Sequence, residues 1–204
     1  MRRASGEGRT VLTLITDGTG RDLDALASTA AREGIDHFQI RERQLSDRAL
    51  AARVRSVLRA TAGSRLRVLV NGRPDVAAIC GAHGVQLPEE GLPVGGVRAA
   101  FPSLLIGASR HSLEGALAAE GEGADFVMLG PIFPSPGKEA RALGLVALEE
   151  AARALEVPLH AVGGIDAASG PQAVRAGARG LAAIRFFLRR SLSDAVRALR
   201  EDSA

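Results

Sequence analysis

The sequence predicts an α/β fold, a single (βα)8 TIM barrel, and three observations carry that expectation. Short apolar runs alternate with stretches of helical periodicity eight times along the chain, the alternation that calls for a parallel sheet. The connections are short, and no Ser/Gly/Pro-rich linker divides the 204 residues, so one large core is expected. Eight strands with no second domain favour closure into a barrel over an open doubly wound sheet. Residues 1–10 read as a flexible basic N-terminus and 11–204 as the barrel domain.

Taken in order, Val11–Ile15 is the first buried strand, and Asp22 caps a helix whose apolar positions Leu23, Leu26, Ala27 and Ala30 share a face. Gly34 ends that helix. Ile35–Ile40 is the second strand, followed by a helix with Leu50, Val54, Val57 and Leu58 at helical spacing. Arg67–Val70 is the third strand, and Pro74 opens a helix carrying Ala77, Ala78 and Ile79. Gly84–Leu87 is the fourth strand, with a short helix over Val94–Ala100, and Leu104–Ile106 is the fifth. Ser112 caps a helix with Leu113, Ala116 and Leu117 inward, closed by Gly121 and Gly123. Phe126–Leu129 is the sixth strand. Pro131, Pro134 and Pro136 then fix φ and remove backbone donors, so the stretch from Gly130 to Gly144 must be a stiff loop, the one long connection. A helix over Leu145–Leu155, a strand over Leu159–Val162, a helix over Ala168–Ala176, a strand over Gly180–Ile184 and a last helix packing Leu192, Ala195, Val196 and Leu199 complete the series.

Composition narrows the function classes. The net charge is +3 and the arginines are spread along the chain, which argues against a nucleic-acid footprint. With no Trp or Tyr and six Phe, platforms for stacking single strands are also unexpected. Cys80 is the single cysteine, reads as core, and cannot form an internal disulfide; no Cys/His cluster has metal-ligand spacing. No segment is apolar for long enough to span a bilayer. The expectation is a cytoplasmic protein acting on small phosphorylated molecules, without nucleic acid or membrane as partner, and with a homo-oligomer left open.

In a (βα)8 barrel the site lies at the carboxyl ends of the strands, so the polar residues following each apolar run are the candidates. The second strand delivers Gln39, Arg41 and Arg43, alternate residues on one face of an extended chain. Asn71 follows the third strand, Gln86, Glu89 and Glu90 the fourth, and Ser109 with His111 the fifth. The sixth leads into the loop holding Ser135 and Lys138. Of 26 Lys and Arg residues Lys138 is the only lysine, a compact ammonium kept in a chain that otherwise uses arginine. The seventh strand ends in Val162-Gly-Gly-Ile165, where glycines let backbone N–H groups approach a phosphate. Cationic side chains beside such a cradle argue for an anionic, phosphorylated ligand. Each element has a plain alternative: a solvated lysine, a turn-forming glycine pair, charge alternation around Glu42. His37, His83 and His160 read as packing or surface residues, and His111 as a residue that orients Ser109.

As an ordered series, Ile15-Thr-Asp17, Gln39-Ile-Arg-Glu-Arg43, His83-Gly-Val-Gln-Leu87, Ile106-Gly-Ala-Ser-Arg-His111, Ala124 to Lys138, Ala161-Val-Gly-Gly-Ile165 and Gly177 to Ile184 resemble the thiamine-phosphate synthase family and its relatives the thiazole tautomerases, from about Leu12 to Leu188. The resemblance implies a (βα)8 barrel that joins an aminopyrimidine methyl diphosphate to a thiazole phosphate, releases diphosphate and passes through a pyrimidine carbocation. It implies that Gln39 faces the pyrimidine, that Arg41, Asn71, Ser109 and Lys138 hold the diphosphate, and that Ser135, Gly163 and Gly164 hold the thiazole phosphate. Arg43 stands where the family has lysine and keeps the charge; Arg185 stands where it has a phosphate-binding serine. The family's two magnesium-binding aspartates fall at Gly72 and Gly91, leaving Glu89 or Glu90 as substitutes for holding Mg²⁺. The histidine that marks the tautomerases falls at Pro131. Three readings follow: a synthase, a tautomerase-like isomerase, and a non-catalytic binder of phosphate esters.

Overall fold

A computed structural model of the chain describes residues 9–134 and 141–201. Residues 1–8, on which most of the expected basic N-terminus falls, and residues 135–140, which include Ser135 and Lys138, lie outside the described residues. Eight strands run β1 Val11–Ile15, β2 His37–Ile40, β3 Arg67–Asn71, β4 Gly84–Leu87, β5 Leu105–Arg110, β6 Phe126–Leu129, β7 Leu159–Val162 and β8 Gly180–Ala183. All neighbouring strands pair in parallel, and β8 returns to β1 to close the barrel.

The helices are α1 Leu23–Glu33, α2 Asp47–Ala60, α3 Pro74–Cys80, α4 Val94–Ala100, α5 Leu113–Gly121, α6 Gly144–Ala154, α7 Ser169–Arg175, α8 Arg185–Leu188 and α9 Leu192–Glu201. Their starts follow from capping chemistry. Asp22 accepts from the N–H groups of Asp24 and Ala25, Ser46 from Ala49 and Ser112 from Gly115, in each case satisfying donors that the first turn leaves free. Gly34 ends α1 in the left-handed conformation, at φ +86°.

Strand alternation divides the apolar residues into two bodies. One set, with Leu12, Leu14, Phe38, Ile40, Val68, Val70, Ile106 and Val127, faces outward and packs under the helices. The other set, Ile15, Leu69, Phe126, Met128 and Ala182, fills the barrel lumen. The amino-terminal end of the lumen is closed by an aromatic cluster: Phe126 stacks on His160 with ring centroids 4.6 Å apart, and His37 lies 5.5 Å from Phe126 and 5.9 Å from His160. Small residues make room for it. A Cβ at Gly180 would lie 2.5 Å from the His160 ring, and one at Gly107 2.3 Å from Phe126.

The structure departs from the sequence reading at several elements. The fifth strand runs on to Arg110, because Ser109 and Arg110 pair with Met128 and Leu129 of β6; the polarity of Ser109 marks the face turned to the cleft, not the end of the ladder. The second strand begins at His37. An extra short helix, α8, precedes the last one, giving nine helices among the described residues where eight were expected. Leu117 is 40% exposed, so it does not belong to the inward face to which spacing assigned it, and Ile79 of α3 is exposed as well. Cys80 is half-buried at the rim of the core, its thiol 3.5 Å from the Ala51 carbonyl on α2.

Candidate active site

The carboxyl ends of the strands surround a cleft of about 560 Å³. Gln39, Arg41 and Arg43 all line it, as their alternation along an extended chain requires. Asn71, Glu89, Ser109, His111, Gly163, Gly164 and Arg185 line it as well, so most of the residues singled out in sequence converge on one volume. Met128, Val162 and Ala182 form its apolar floor, directly above the aromatic cluster.

Neighbouring strands tie the polar residues together. Gln39 donates through Nε2 to Asn71 Oδ1 at 3.0 Å, joining β2 to β3. Gln86 donates through Nε2 to Ser109 Oγ at 2.9 Å, joining β4 to β5. The Oε1 atoms of Gln39 and Gln86 are buried without a partner among the described residues. Ser109 is therefore oriented by Gln86, and His111 takes a different partner from the one expected. Glu89 accepts from the His111 backbone N–H at 3.3 Å through Oε1, and its Oε2 meets His111 Nδ1.

The arginine arm is held from behind. Glu42, 8% exposed, accepts from Thr16 Oγ1 at 2.6 Å and from Gln44 Nε2 at 2.9 Å, while Thr16 Oγ1 in turn accepts from the Arg41 backbone N–H at 2.9 Å. The plain alternative for this stretch is solvated charge alternation around Glu42, and the burial of Glu42 goes against it. The available signal was the alternation itself, which points a residue between two cleft-facing arginines away from the cleft. Arg41 is half-buried, and burial first, then the neighbouring Arg43, pull its guanidinium below the ordinary value, with Glu42 opposing. Arg41, Arg43 and Arg185 form no salt bridge within the described residues. The cleft thus holds positive charge with little internal compensation, the condition for taking an anion.

Gly163 and Gly164 have φ of +90° and +66°, and side chains there would collide with the start of the β6–α6 loop, 2.4 Å from Pro131 Cβ and 2.6 Å from Phe133 Cβ. The loop packs onto this pair: Phe133 N–H donates to the Gly163 carbonyl at 3.1 Å, and Ser169 Oγ donates to that of Gly164 at 2.8 Å. Both glycines line the cleft with their carbonyls so engaged. Arg185 both opens α8 and lines the cleft, so its place in a basic helical segment does not carry it out of the site.

Among the described residues no three His, Cys, Asp or Glu side chains gather as a metal site requires. Glu89 is turned to His111, and Glu90 is an exposed turn residue that does not line the cleft. The described side chains do not fit a magnesium ion held by protein carboxylates.

The whole-chain comparisons agree with this geometry. The family model described as thiamine monophosphate synthase matches residues 12–187. A thiamine-phosphate synthase of Methanoculleus marisnigri is 39% identical over 195 residues, covering 94% of this chain and 92% of its own. One of Anaeromyxobacter dehalogenans is 41% identical over 172 residues, covering 83% and 77%. The structure of a thiamine phosphate pyrophosphorylase from Pyrococcus furiosus superposes with a TM-score of 0.86 at 30% identity, with 95% of each chain covered. From the β1 strand to α8, by sequence and by fold, this chain belongs to the thiamine monophosphate synthase family.

Proposed function

We propose that the chain is a thiamine-phosphate synthase, which joins the pyrimidine methyl group of a diphosphate ester to a thiazole phosphate and releases diphosphate. The observation that carries this reading is the convergence of Arg41, Arg43 and Arg185, without carboxylate partners among the described residues, on a cleft that also offers the Gln39–Asn71 amide pair and the glycine pair. In such a reaction the bond to the pyrimidine methylene breaks with its electron pair leaving on diphosphate. Preorganised cations lower that barrier because they meet charge as it develops.

In this reading Arg41 and Ser109 contact the diphosphate, with Asn71 and Arg43 beside them. The Gly163–Gly164 amides and Arg185 take the phosphate of the thiazole. Gln39 faces the pyrimidine, and its unpartnered Oε1 supplies an acceptor for a ring amino group after a small rotation of the amide. Lys138 and Ser135 are assigned to the diphosphate and the thiazole phosphate from the sequence alone. The tautomerase reading is weaker, because Pro131 lines the cleft at the position where that activity would need an acid or base. No helix among the described residues is long and apolar enough to cross a membrane. The reading carries with it a cytoplasmic location, and a homo-oligomer is compatible with it.

The test is direct. Purified protein is incubated with the pyrimidine diphosphate and the thiazole phosphate, in buffers with Mg²⁺ and with EDTA, and thiamine phosphate and free diphosphate are measured. Equimolar formation of both in either buffer supports the proposal. Binding of both substrates with no product in either buffer overturns it in favour of a binder.

A further inference from the structure

We infer that this cleft binds diphosphate directly through its guanidinium groups, without a magnesium ion held by the protein. The inference rests on the synthase reading for the identity of the anion, and on the structure for the means of holding it.

The two positions at which the family resemblance expects carboxylates are both glycine, and both abut one proline. Gly72 has φ +67°, and a Cβ there would lie 3.6 Å from Pro88 Cδ. A Cβ at Gly91 would lie 3.0 Å from the Pro88 carbonyl oxygen and 3.1 Å from Pro88 Cδ. The backbone pins this arrangement from both sides: Gly72 N–H donates to the Gln86 carbonyl at 2.8 Å and Gly91 N–H to that of Pro88 at 3.0 Å. Pro88 itself lines the cleft. An apolar pyrrolidine ring therefore stands between the two positions where two carboxylates would have to converge on an ion. The one carboxylate that lines the cleft among the described residues, Glu89, spends both oxygens on His111.

Magnesium demands near-octahedral oxygen ligation and is held in proteins through one or two carboxylates besides phosphate oxygens. Among the described residues that ligand set is missing, and the charge it would have helped to neutralise faces guanidinium groups instead. Arg41, Arg43 and Arg185 line the same cleft with no salt-bridge partner among the described residues, and a guanidinium gives phosphate oxygens two parallel charge-assisted hydrogen bonds where the geometry allows. Losing one Mg²⁺ together with its two carboxylates leaves the net charge facing the leaving group unchanged, and Arg41 and Arg43 remain to meet it.

Inorganic diphosphate is the probe, titrated calorimetrically into the whole protein in EDTA and, separately, with Mg²⁺ in excess. Binding in EDTA as tight as with Mg²⁺, within about threefold, is the expected result. In EDTA, Arg41→Gln and Arg43→Gln should each weaken binding at least tenfold, in line with loss of a charge-assisted contact, and melting curves confirm that the variants are folded. Heat of binding that appears only with Mg²⁺, or no binding in either buffer, overturns the inference. The wild-type comparison decides the matter even if a variant fails to fold. The synthase reading fails separately: diphosphate bound in EDTA with no thiamine phosphate made in either buffer keeps the arginine site and removes the synthase. Thiamine phosphate made only with Mg²⁺, with no diphosphate bound in EDTA, keeps the synthase and removes the arginine site.

Discussion

At the amino-terminal end of the lumen, His37 and His160 lie against Phe126 with their Nδ1 atoms buried and without partners among the described residues, whereas two residues further along the same strands Gln39 pairs with Asn71 and Val162 floors an open cleft. Both ends receive polar side chains by the same alternation. At the closed end, desolvation pushes the His37 imidazole down to about 4 and that of His160 to about 3, with Arg67 and His83 adding to the effect on His37, Asp36 opposing it, and His37 adding to that on His160. At the open end, cross-strand amide pairs and partly exposed guanidinium groups keep polar capacity in reserve for a ligand. The lesson is that position along a barrel strand, not residue type, decides whether a titratable side chain serves packing or chemistry.

The largest expected effect breaks the closed end with acid. An imidazole whose folded pKa lies below its ordinary value of 6.5 is protonated first in the unfolded chain, so its contribution is intact above pH 6.5 and is lost as pH falls toward about 4 for His37 and about 3 for His160. The slope is about 1.4 kcal/mol per pH unit for each histidine within its window, enough over two units to consume much of a typical domain's stability. Urea unfolding at pH 7.5 and 5 checks this. His160→Leu should flatten the dependence, and an unchanged slope in that variant would place the acid sensitivity elsewhere.

The open end is broken by Arg41→Ala. A charge-assisted hydrogen bond is worth about 1.5–3 kcal/mol, so kcat/KM for thiamine phosphate formation should fall roughly 10- to 150-fold with little change in melting temperature. A fall in stability matching the fall in rate would instead make Arg41 a structural member of the Thr16–Glu42 network.

Gly180→Ala sharpens the contrast from below. The added methyl would meet the His160 ring at 2.5 Å, so the variant should lose about 1–3 kcal/mol of stability through overpacking while the folded fraction keeps its KM. A large change in KM would mean that the aromatic cluster and the cleft above it are mechanically coupled.

Most of the frame was legible in the sequence because helix starts, apolar runs and turn residues act locally. Pro74, Ser112 and the Phe126–Leu129 run mark elements that need no distant partner to be recognised. The convergence of Gln39, Arg41, Asn71 and Ser109 was legible too, since parallel strands in a closed barrel bring their carboxyl ends together. What could not be read was pairing across strands. Glu89 with His111, and Glu42 with Thr16, join residues 22 and 26 positions apart, and their partners are set by strand register. Strand five was underestimated for the same reason: Ser109 looks like the start of a loop until β6 supplies its ladder.

The smallest effect tests whether Ser109 belongs to both halves of the comparison. Its hydroxyl accepts from Gln86 Nε2 at 2.9 Å, and Gln86 is buried with Oε1 already unpartnered, so Ser109→Ala strips that amide of its remaining side-chain bond. The expected stability cost is about 1 kcal/mol, the lower end for an unsatisfied buried group. If the hydroxyl also donates to the leaving diphosphate, a neutral hydrogen bond worth about 0.5–1.5 kcal/mol is lost in the transition state as well, and kcat should fall roughly 2- to 12-fold. The two effects are separable because the first appears in unfolding curves without substrate and the second in turnover of the folded protein. Loss of stability with kcat unchanged would leave Ser109 as a partner of Gln86 alone, and would shift the burden of meeting the diphosphate wholly to the arginines.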